Sequence, residues 1–600
     1  MTPPLTEDPP QASMATDLPT LGRTQLDLRR TSSSATPAKG WLSMGIFFLV
    51  LGVYALSSPG RIDSVDGQAR FDVSYNWLTT GKPIIRDPWI GSFASAPGRY
   101  GFRYSFYGAP GSVFAMPLVW LGLYTSAPNI QPSLFLFSLT STFFGAGIAV
   151  ILFLLYLELG TTIRDAILWT LVSSFTTLVW PASTSTLDNA QHAFFVLAAI
   201  YCGFLAAKQK SAVYSVLGGF LGGVLILYQE YFVLIVPALA LVTLQWGSNQ
   251  HPASLPAEED ARKDSIVTSF AFAVEQTFRD LKALISTAFE KQGEARSSCL
   301  RYCFFVGAIS VDVALAMAYN SFRFGSFLGS GKFHPEQHFH PPLLGNPLAG
   351  FLTLLVSPGK SVFLYSPPLI LGLFGIGALW RRRPELAATI AATSVTLVLF
   401  LSCISFAGGD WCWGPRYLTP LLPLWALCFP FLTKVKNGRK LAIAVISAGL
   451  LVQLLGLSVE NQRFFFEKSL KTFFWAEDPW VYFKHSALYS RIGETLSLFQ
   501  GVPPTAHVFN SLPIPNWTTY VSLGPTRDVP LSQTPLWLRN FQVYFLPRPW
   551  PLWMASLKDS LHPVNLHLWL EGVLGLAMLG VGLIVLGLKK AGAHGANLQP

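Results

Sequence analysis

Charge is what this chain has least of. Only 12% of its 600 residues are Asp, Glu, Lys or Arg, against roughly a quarter in soluble domains. An ordinary soluble globule is thereby excluded, because 51% of the residues are hydrophobic and 14% aromatic, and no water-facing surface would hide them. Cysteine is also scarce. Cys202, Cys299, Cys303, Cys403, Cys412 and Cys428 lie mostly in or near apolar segments. Cys299 and Cys303 form a CxxxC with no second pair, so neither a zinc site nor a disulfide framework is expected. Walker loops, dinucleotide fingerprints and zinc-protease motifs are missing, and nothing suggests ATP.

What is present is a succession of apolar runs near the ~20 residues needed to cross a bilayer. The expected fold class is an all-α polytopic membrane protein of about twelve transmembrane helices. They fall at 41–58, 133–157, 163–180, 190–207, 212–228, 231–246, 303–319, 361–380, 385–407, 417–433, 441–458 and 566–588. With both termini inside, short positive loops fall on one side: Arg164, Lys208 and Lys210, "WRRRP" at 380–384, "TKVKNGRK" at 433–440, and Lys589 with Lys590. The net charge of +10 belongs mostly to such loops. The expected location is the cell membrane, multi-pass, with cytoplasmic N- and C-termini.

The same pattern divides the chain. Residues 1–40, rich in Pro, Ser and Thr, read as a disordered cytoplasmic tail, and 41–458 as the transmembrane module with a first outer loop at 59–132. Residues 459–565 form an extracytoplasmic segment, and 566–600 the last helix and a cytoplasmic tail. Two apolar runs, 111–124 and 348–360, are too short to cross and read as interfacial or half-inserted helices. The inner loop 247–302 is expected to hold an amphipathic helix.

Several polar groups stand out in so apolar a chain. "RIDSVDGQARFDVSYNW" (61–77) places Asp63, Asp66 and Asp72 just after the first span. If the stretch is helical from residue 63, at about 100° per residue, Asp63, Asp66 and Arg70 share a face and Asp72 points away. Phe71, Tyr75 and Leu78 then form an apolar stripe suited to a membrane. Gly67 weakens helix, so the helix could begin only after it. Two carboxylates on one face suit general-base work or metal coordination. The bland reading is a solvated cap with an Asp66–Arg70 pair.

The loop "RFGSFLGSGKFHPEQHFH" offers Lys332, His334, Glu336, His338 and His340. These suit a metal, an anion contact, or simply a polar loop, and the prolines favour the last over the metal. In "GGDWCWGPRYLTPLLP" (408–423), glycines permit a tight turn and Pro415 fixes the backbone before Arg416. A guanidinium there can bind phosphate bidentately or snorkel to headgroups. Asp312 lies midway along a span, a functional candidate by default, with a polar partner on a neighbouring helix as the structural alternative. Asp188 and His192 in "LDNAQH", Glu230 and Glu571 mark other span ends.

The order of these features resembles the GT-C class of membrane glycosyltransferases, in the bacterial branch similar to protein O-mannosyltransferases and aminoarabinose transferases. The resemblance covers about 41–460. It rests on "SVDGQARFDVSYNWLTTGKPI", "YGAPGSVFAMPL", "YNSFRFGSFLGSGK", "LLVSPGKSVFLYSPPLIL" and "GGDWCWGPRYLTPLLP". It implies an integral membrane glycosyltransferase that moves a sugar, with inversion, from a polyprenyl-phosphate donor to an acceptor on the outer face. The acceptor would be a lipid, glycan or protein, with membrane lipids as further partners and no nucleic acid. By motif position Asp66 is the expected base and Asp63 the second candidate. Arg416, Lys332, Arg103 and His338 are the expected substrate contacts. No cofactor and no metal is implied. The family often has two adjacent acids in the first loop, and here Gly67 follows Asp66. Two other readings compete: a membrane transporter or lipid flippase, and a non-catalytic assembly protein of the same fold.

Overall fold

The apolar runs fold as helices whose lengths follow from where glycine and proline stand. The computed structural model describes residues 20–60, 62–86, 94–126, 130–244, 294–332, 344–409, 412–434, 438–459, 480–499 and 566–596. In chain order the main elements are α1 (Thr20–Ser57), α2 (Val65–Thr80), the strands β1 (Ser95–Pro97) and β2 (Arg103–Ser105), α3 (Pro110–Ser126), α4 (Gln131–Ser138), α5 (Thr140–Glu158), α6 (Ile163–Thr176), α7 (Asn189–Gln209) and α8 (Ala212–Tyr228). They continue with α9 (Glu294–Phe324), α10 (Pro347–Leu355), α11 (Leu369–Arg382), α12 (Pro384–Cys403), α13 (Gly438–Ser458), α14 (Ala487–Phe499) and α15 (Leu566–Ala596). The strands pair antiparallel, Ser95 opposite Ser105.

Among the described residues, seven helical stretches are long and apolar enough to cross a membrane: Ala38–Ser57, Pro132–Glu158, Asn189–Gln209, Arg296–Phe324, Pro384–Cys403, Arg439–Ser458 and Leu568–Gly592. They coincide with seven of the expected spans. The other five are shorter or interrupted. The 231–246 and 417–433 runs fold as successive short 3-10 and α turns, because Pro237, Pro420 and Pro423 lack the N–H that a continuous helix needs. Ser366, Pro367 and Pro368 split 361–380 into Val362–Tyr365 and α11. The helices of 163–180 and 212–228 stop at 14 and 17 residues. Helix α1 also reaches back to Thr20, into the stretch expected as tail. The 247–302 expectation falls largely outside the described residues, and so does most of 459–565.

The core gathers around α7, 83% of whose apolar window is buried, against 17% for α9 and 22% each for α13 and α15. The exposed rows of the outer helices are apolar, as on α9 with Phe304, Val311 and Leu315 and on α15 with Met578, Leu579 and Val581. That is the pattern of helices whose solvent is lipid. The first and last helices lie side by side at small residues: a Cβ on Gly45 would come within 2.8 Å of the Gly580 carbonyl, and one on Gly580 within 2.3 Å of the Leu49 nitrogen. Such close backbone approach is how helices associate where no hydrophobic effect separates helix from solvent.

The 111–124 run is helix α3, with Pro117 inside it. It packs with Ala115 and Val119 against Phe71 of α2 and Phe137 of α4. The apolar stripe on α2 is therefore covered by protein at Phe71, which is 1% exposed, rather than laid on a membrane. The 348–360 run is α10, which ends before Ser357 and Pro358.

Candidate active site

Helix α2 starts at Val65, two residues after Asp63, and not after Gly67. Ser64 caps it, its hydroxyl accepting the Gly67 N–H at 2.9 Å; this satisfies one of the N–H groups that a helix start leaves open. Asp63 therefore does not share a helical face with Asp66. It is buried, and its Oδ1 accepts from the Thr186 N–H at 2.8 Å, the Thr186 hydroxyl at 2.6 Å and the Ser185 hydroxyl at 3.1 Å. It thus ties the start of α2 to the turn before α7. Gly67 is required by the same turn: a Cβ there would lie 2.3 Å from Thr186 Oγ1 and 2.7 Å from Thr186 Cβ. The position where a second acid was sought has no room for a side chain.

Asp66 sits in the first turn of α2 with its side chain 22% exposed. The Tyr107 hydroxyl donates to its Oδ1 at 2.6 Å, and Arg416 Nη1 donates to Oδ2 at 3.2 Å. These residues are 41 and 350 positions away along the chain. Arg70, one turn on, does not pair with Asp66 by hydrogen bond. Its Nη2 donates to Asp188 Oδ2 at 2.5 Å, both side chains being buried, and its guanidinium carbon lies 4.6 Å from the centre of the Tyr107 ring. Arg70 Nη1 and Arg416 Nε are buried N–H donors without a hydrogen-bond partner among the described residues.

The electrostatics follow from this arrangement. Burial pushes the Asp188 carboxyl up, but Arg70 and then His192 outweigh it and hold it below the ordinary carboxylate range. Burial raises the Tyr107 phenol well above its usual value, and the Asp66 charge adds to this, so Tyr107 stays a donor. For Arg416, burial is outweighed by Tyr417 and Asp66, and the guanidinium stays charged. The result is a semi-exposed carboxylate beside two cations that carry unused donors.

Three further residues hold the site. Lys360, 1% exposed, donates from Nζ to the carbonyls of Cys412 at 2.9 Å and Gly414 at 3.0 Å, fixing the loop that presents Arg416. Arg323, at the end of α9, donates to the carbonyls of Ser105 and Tyr107 and to Asn320 Oδ1, fixing the backbone that presents Tyr107. Asp72 accepts from Asn76 and from the Arg86 N–H and ties α2 to the segment after it, pointing away from Asp66 as expected.

Two of the remaining expected contacts are described, each with a partner of its own. Lys332 Nζ donates to Glu230 Oε2 at 2.6 Å, and that lysine draws the Glu230 carboxyl down against the upward push of burial. Arg103, on β2, bonds to Ser95 across the hairpin. His338, with His334, Glu336 and His340, lies outside the described residues. Among the described residues no group of three or more metal-type ligands occurs. Asp312 is fully buried against Gly223 of α8, and among the described residues neither carboxylate oxygen has a hydrogen-bond partner, so the expected polar partner on a neighbouring helix is not found among them.

No protein-family model matches the chain, and no curated protein does. Among solved structures it is similar to the oligosaccharyltransferase of Archaeoglobus fulgidus in complex with zinc and sulfate, at 14% identity and TM-score 0.37, over 67% of this chain and 52% of that one. It is also similar to ArnT from Cupriavidus metallidurans bound to undecaprenyl phosphate, at 14% identity and TM-score 0.36, over 93% of this chain and 79% of that one. The chain spans about half the length of the archaeal enzyme. Both similarities stand at low identity and low score, and the chemistry of the site rests on its own geometry.

Proposed function

We propose that this protein transfers a sugar from a polyprenyl-phosphate donor to an acceptor hydroxyl, with Asp66 as the base. One observation carries the reading: a semi-exposed carboxylate, 3.2 Å from the partly exposed Arg416 guanidinium, lies in a cluster with a second cation, the buried Arg70, and each cation keeps an N–H donor without a partner among the described residues.

In the proposed step, the acceptor O–H gives its proton to Asp66 while its oxygen attacks the anomeric carbon from the side opposite the phosphate. The bond between that carbon and the phosphate oxygen breaks with its electron pair. The phosphate goes from a diester with one negative charge to a monoester with two. That added charge is what Arg416 and Arg70 stabilise, and stabilisation of charge that grows in the transition state is the larger part of such catalysis. Arg416 turns its donors from Asp66 toward the phosphate, which frees Oδ2 to take the proton. Tyr107 keeps the carboxylate oriented from the other oxygen, and Asp63 acts as a positioning residue through Thr186 rather than as the base. Lys332, Arg103 and His338 remain candidates for the acceptor or the rest of the donor.

The test is a screen of purified protein in lipid nanodiscs with polyprenyl-phosphate sugars and a panel of hydroxyl acceptors. Release of polyprenyl phosphate with formation of glycosylated acceptor is expected for one donor class. Movement of the intact donor between leaflets without release would instead support the transporter reading, for which the buried Asp312 is the motivating residue.

A further inference from the structure

Helix α14 packs Ala487 and Leu488 on the core, yet it also buries an arginine and leaves an apolar stripe exposed. Its inward face carries Arg491, 0% exposed, whose Nε is 2.9 Å from Glu494 and whose guanidinium lies 5.3 Å from the Trp413 ring. Its outward face carries Tyr489, Ile492 and Leu496, exposed to 81%, 46% and 56%. At 100° per residue these three fall within a stripe about 60° wide. Trp480 and Phe483, in the short turn before the helix, are exposed as well. A helix bathed in water would bury the isoleucine and leucine and leave the arginine outside.

Two contacts fix the level at which this helix sits. Thr495 Oγ1 and Ser458 Oγ share a hydrogen bond of 2.7 Å, and Arg491 Nη1 donates to the Val459 carbonyl. Both partners lie at the C-terminal end of α13, a helix apolar enough to span a bilayer, whose Leu450, Leu451 and Leu454 are exposed. That is where a spanning helix leaves the hydrocarbon, and where Trp and Tyr collect.

We infer that α14 is an interfacial helix whose Tyr489, Ile492 and Leu496 stripe inserts among the lipid acyl chains of the leaflet at that end of α13. The exposed apolar row of α13 runs to Leu454, one turn before Ser458 and its hydrogen bond to Thr495 of α14. A consequence reaches the site. The Gly359 N–H donates to the Tyr482 carbonyl at 2.9 Å, Ser486 donates to the Pro358 carbonyl at 2.8 Å, and Arg491 stacks on Trp413. The segment that leads into α14 therefore braces the 357–361 loop, and α14 itself, through Arg491, meets the 412–414 loop, so that together they support, through Lys360, the presentation of Arg416. The inference does not depend on the proposed transfer reaction.

The test uses the native chain in nanodiscs of phosphatidylcholine that carries a photoactivatable diazirine in its acyl chain, with adducts mapped by mass spectrometry. Adducts on Tyr489, Ile492 and Leu496, at yields within a few-fold of those on Leu450, Leu451 and Leu454, and none on Arg491 or Glu494, are expected. Adducts on the α13 leucines with none on α14 would overturn the proposal, whether a second copy or another part of the chain covers the stripe instead.

Discussion

Removing the Asp188 carboxylate should destabilise the protein far more than removing an exposed acid. Asp188 and Arg70 are joined at 2.5 Å with side chains 8% and 3% exposed, and Arg70 already has one buried N–H without a partner among the described residues. In Asp188→Ala the guanidinium stays buried and loses its counter-charge. Breaking a buried pair from one side costs about 3–5 kcal/mol, whereas replacing both partners by apolar residues is often close to neutral. The variant Arg70→Met/Asp188→Ala should therefore lose less stability than the sum of its two single changes. The pH dependence has a definite sign. The folded Asp188 pKa lies below its usual value, so the stability it contributes is fully present above the unfolded pKa of about 3.9 and is lost as pH falls below that, through the folded pKa. The assay is equilibrium unfolding in mixed micelles followed by tryptophan fluorescence, at neutral pH and again at about pH 3, below the unfolded pKa. A single-variant loss below about 1 kcal/mol, or strict additivity in the double variant, would refute the view that this pair is a coupled buried unit.

Three other expectations follow from single residues. Gly67→Ala should destabilise by about 1–3 kcal/mol because of the 2.3 Å approach to Thr186, even though helix propensity alone favours alanine by about 1 kcal/mol; chemical denaturation gives the sign. Tyr107→Phe removes a hydrogen bond to a charged acceptor, worth about 1.5–3 kcal/mol, and should lower turnover by about ten-fold or more while leaving donor binding intact, read by comparing kcat with binding of a fluorescent polyprenyl phosphate. Asp312→Asn should leave transfer unchanged and not lower stability, because the carboxylate has no hydrogen-bond partner among the described residues; a transporter would lose its activity, which a leaflet-exchange assay detects.

The parts of this protein that were legible in the sequence are the local ones. Seven spans were visible because apolar length is local. The other five are interrupted at Pro237, at Pro367 and Pro368, or at Pro420 and Pro423, or are shorter helices, and composition alone does not show where the backbone breaks. Asp66 and Arg416 each stood out by type and setting, and the structure brings them into one ion pair. Their partners were hidden because they lie far along the chain. Tyr107 joins Asp66 across 41 residues and Arg70 joins Asp188 across 118. Signals did exist: Arg323 lies in "YNSFRFG", Lys360 in "VSPGK", and Asp188 in "LDNAQH" at a span end. Each was visible as a polar residue in an apolar chain, but nothing local said what it would touch. Asp63 was grouped with Asp66 by helical spacing, and the Ser64 cap moved the helix start past it.

The central claim is that Asp66 takes the acceptor's proton. Its most direct test is single-turnover transfer by Asp66→Asn, with donor binding measured on the same preparation. The amide keeps the shape of the side chain but cannot accept the proton, so transfer should fall by about 100- to 10,000-fold, with polyprenyl-phosphate donor still bound. Transfer at the wild-type rate in that variant would contradict the account.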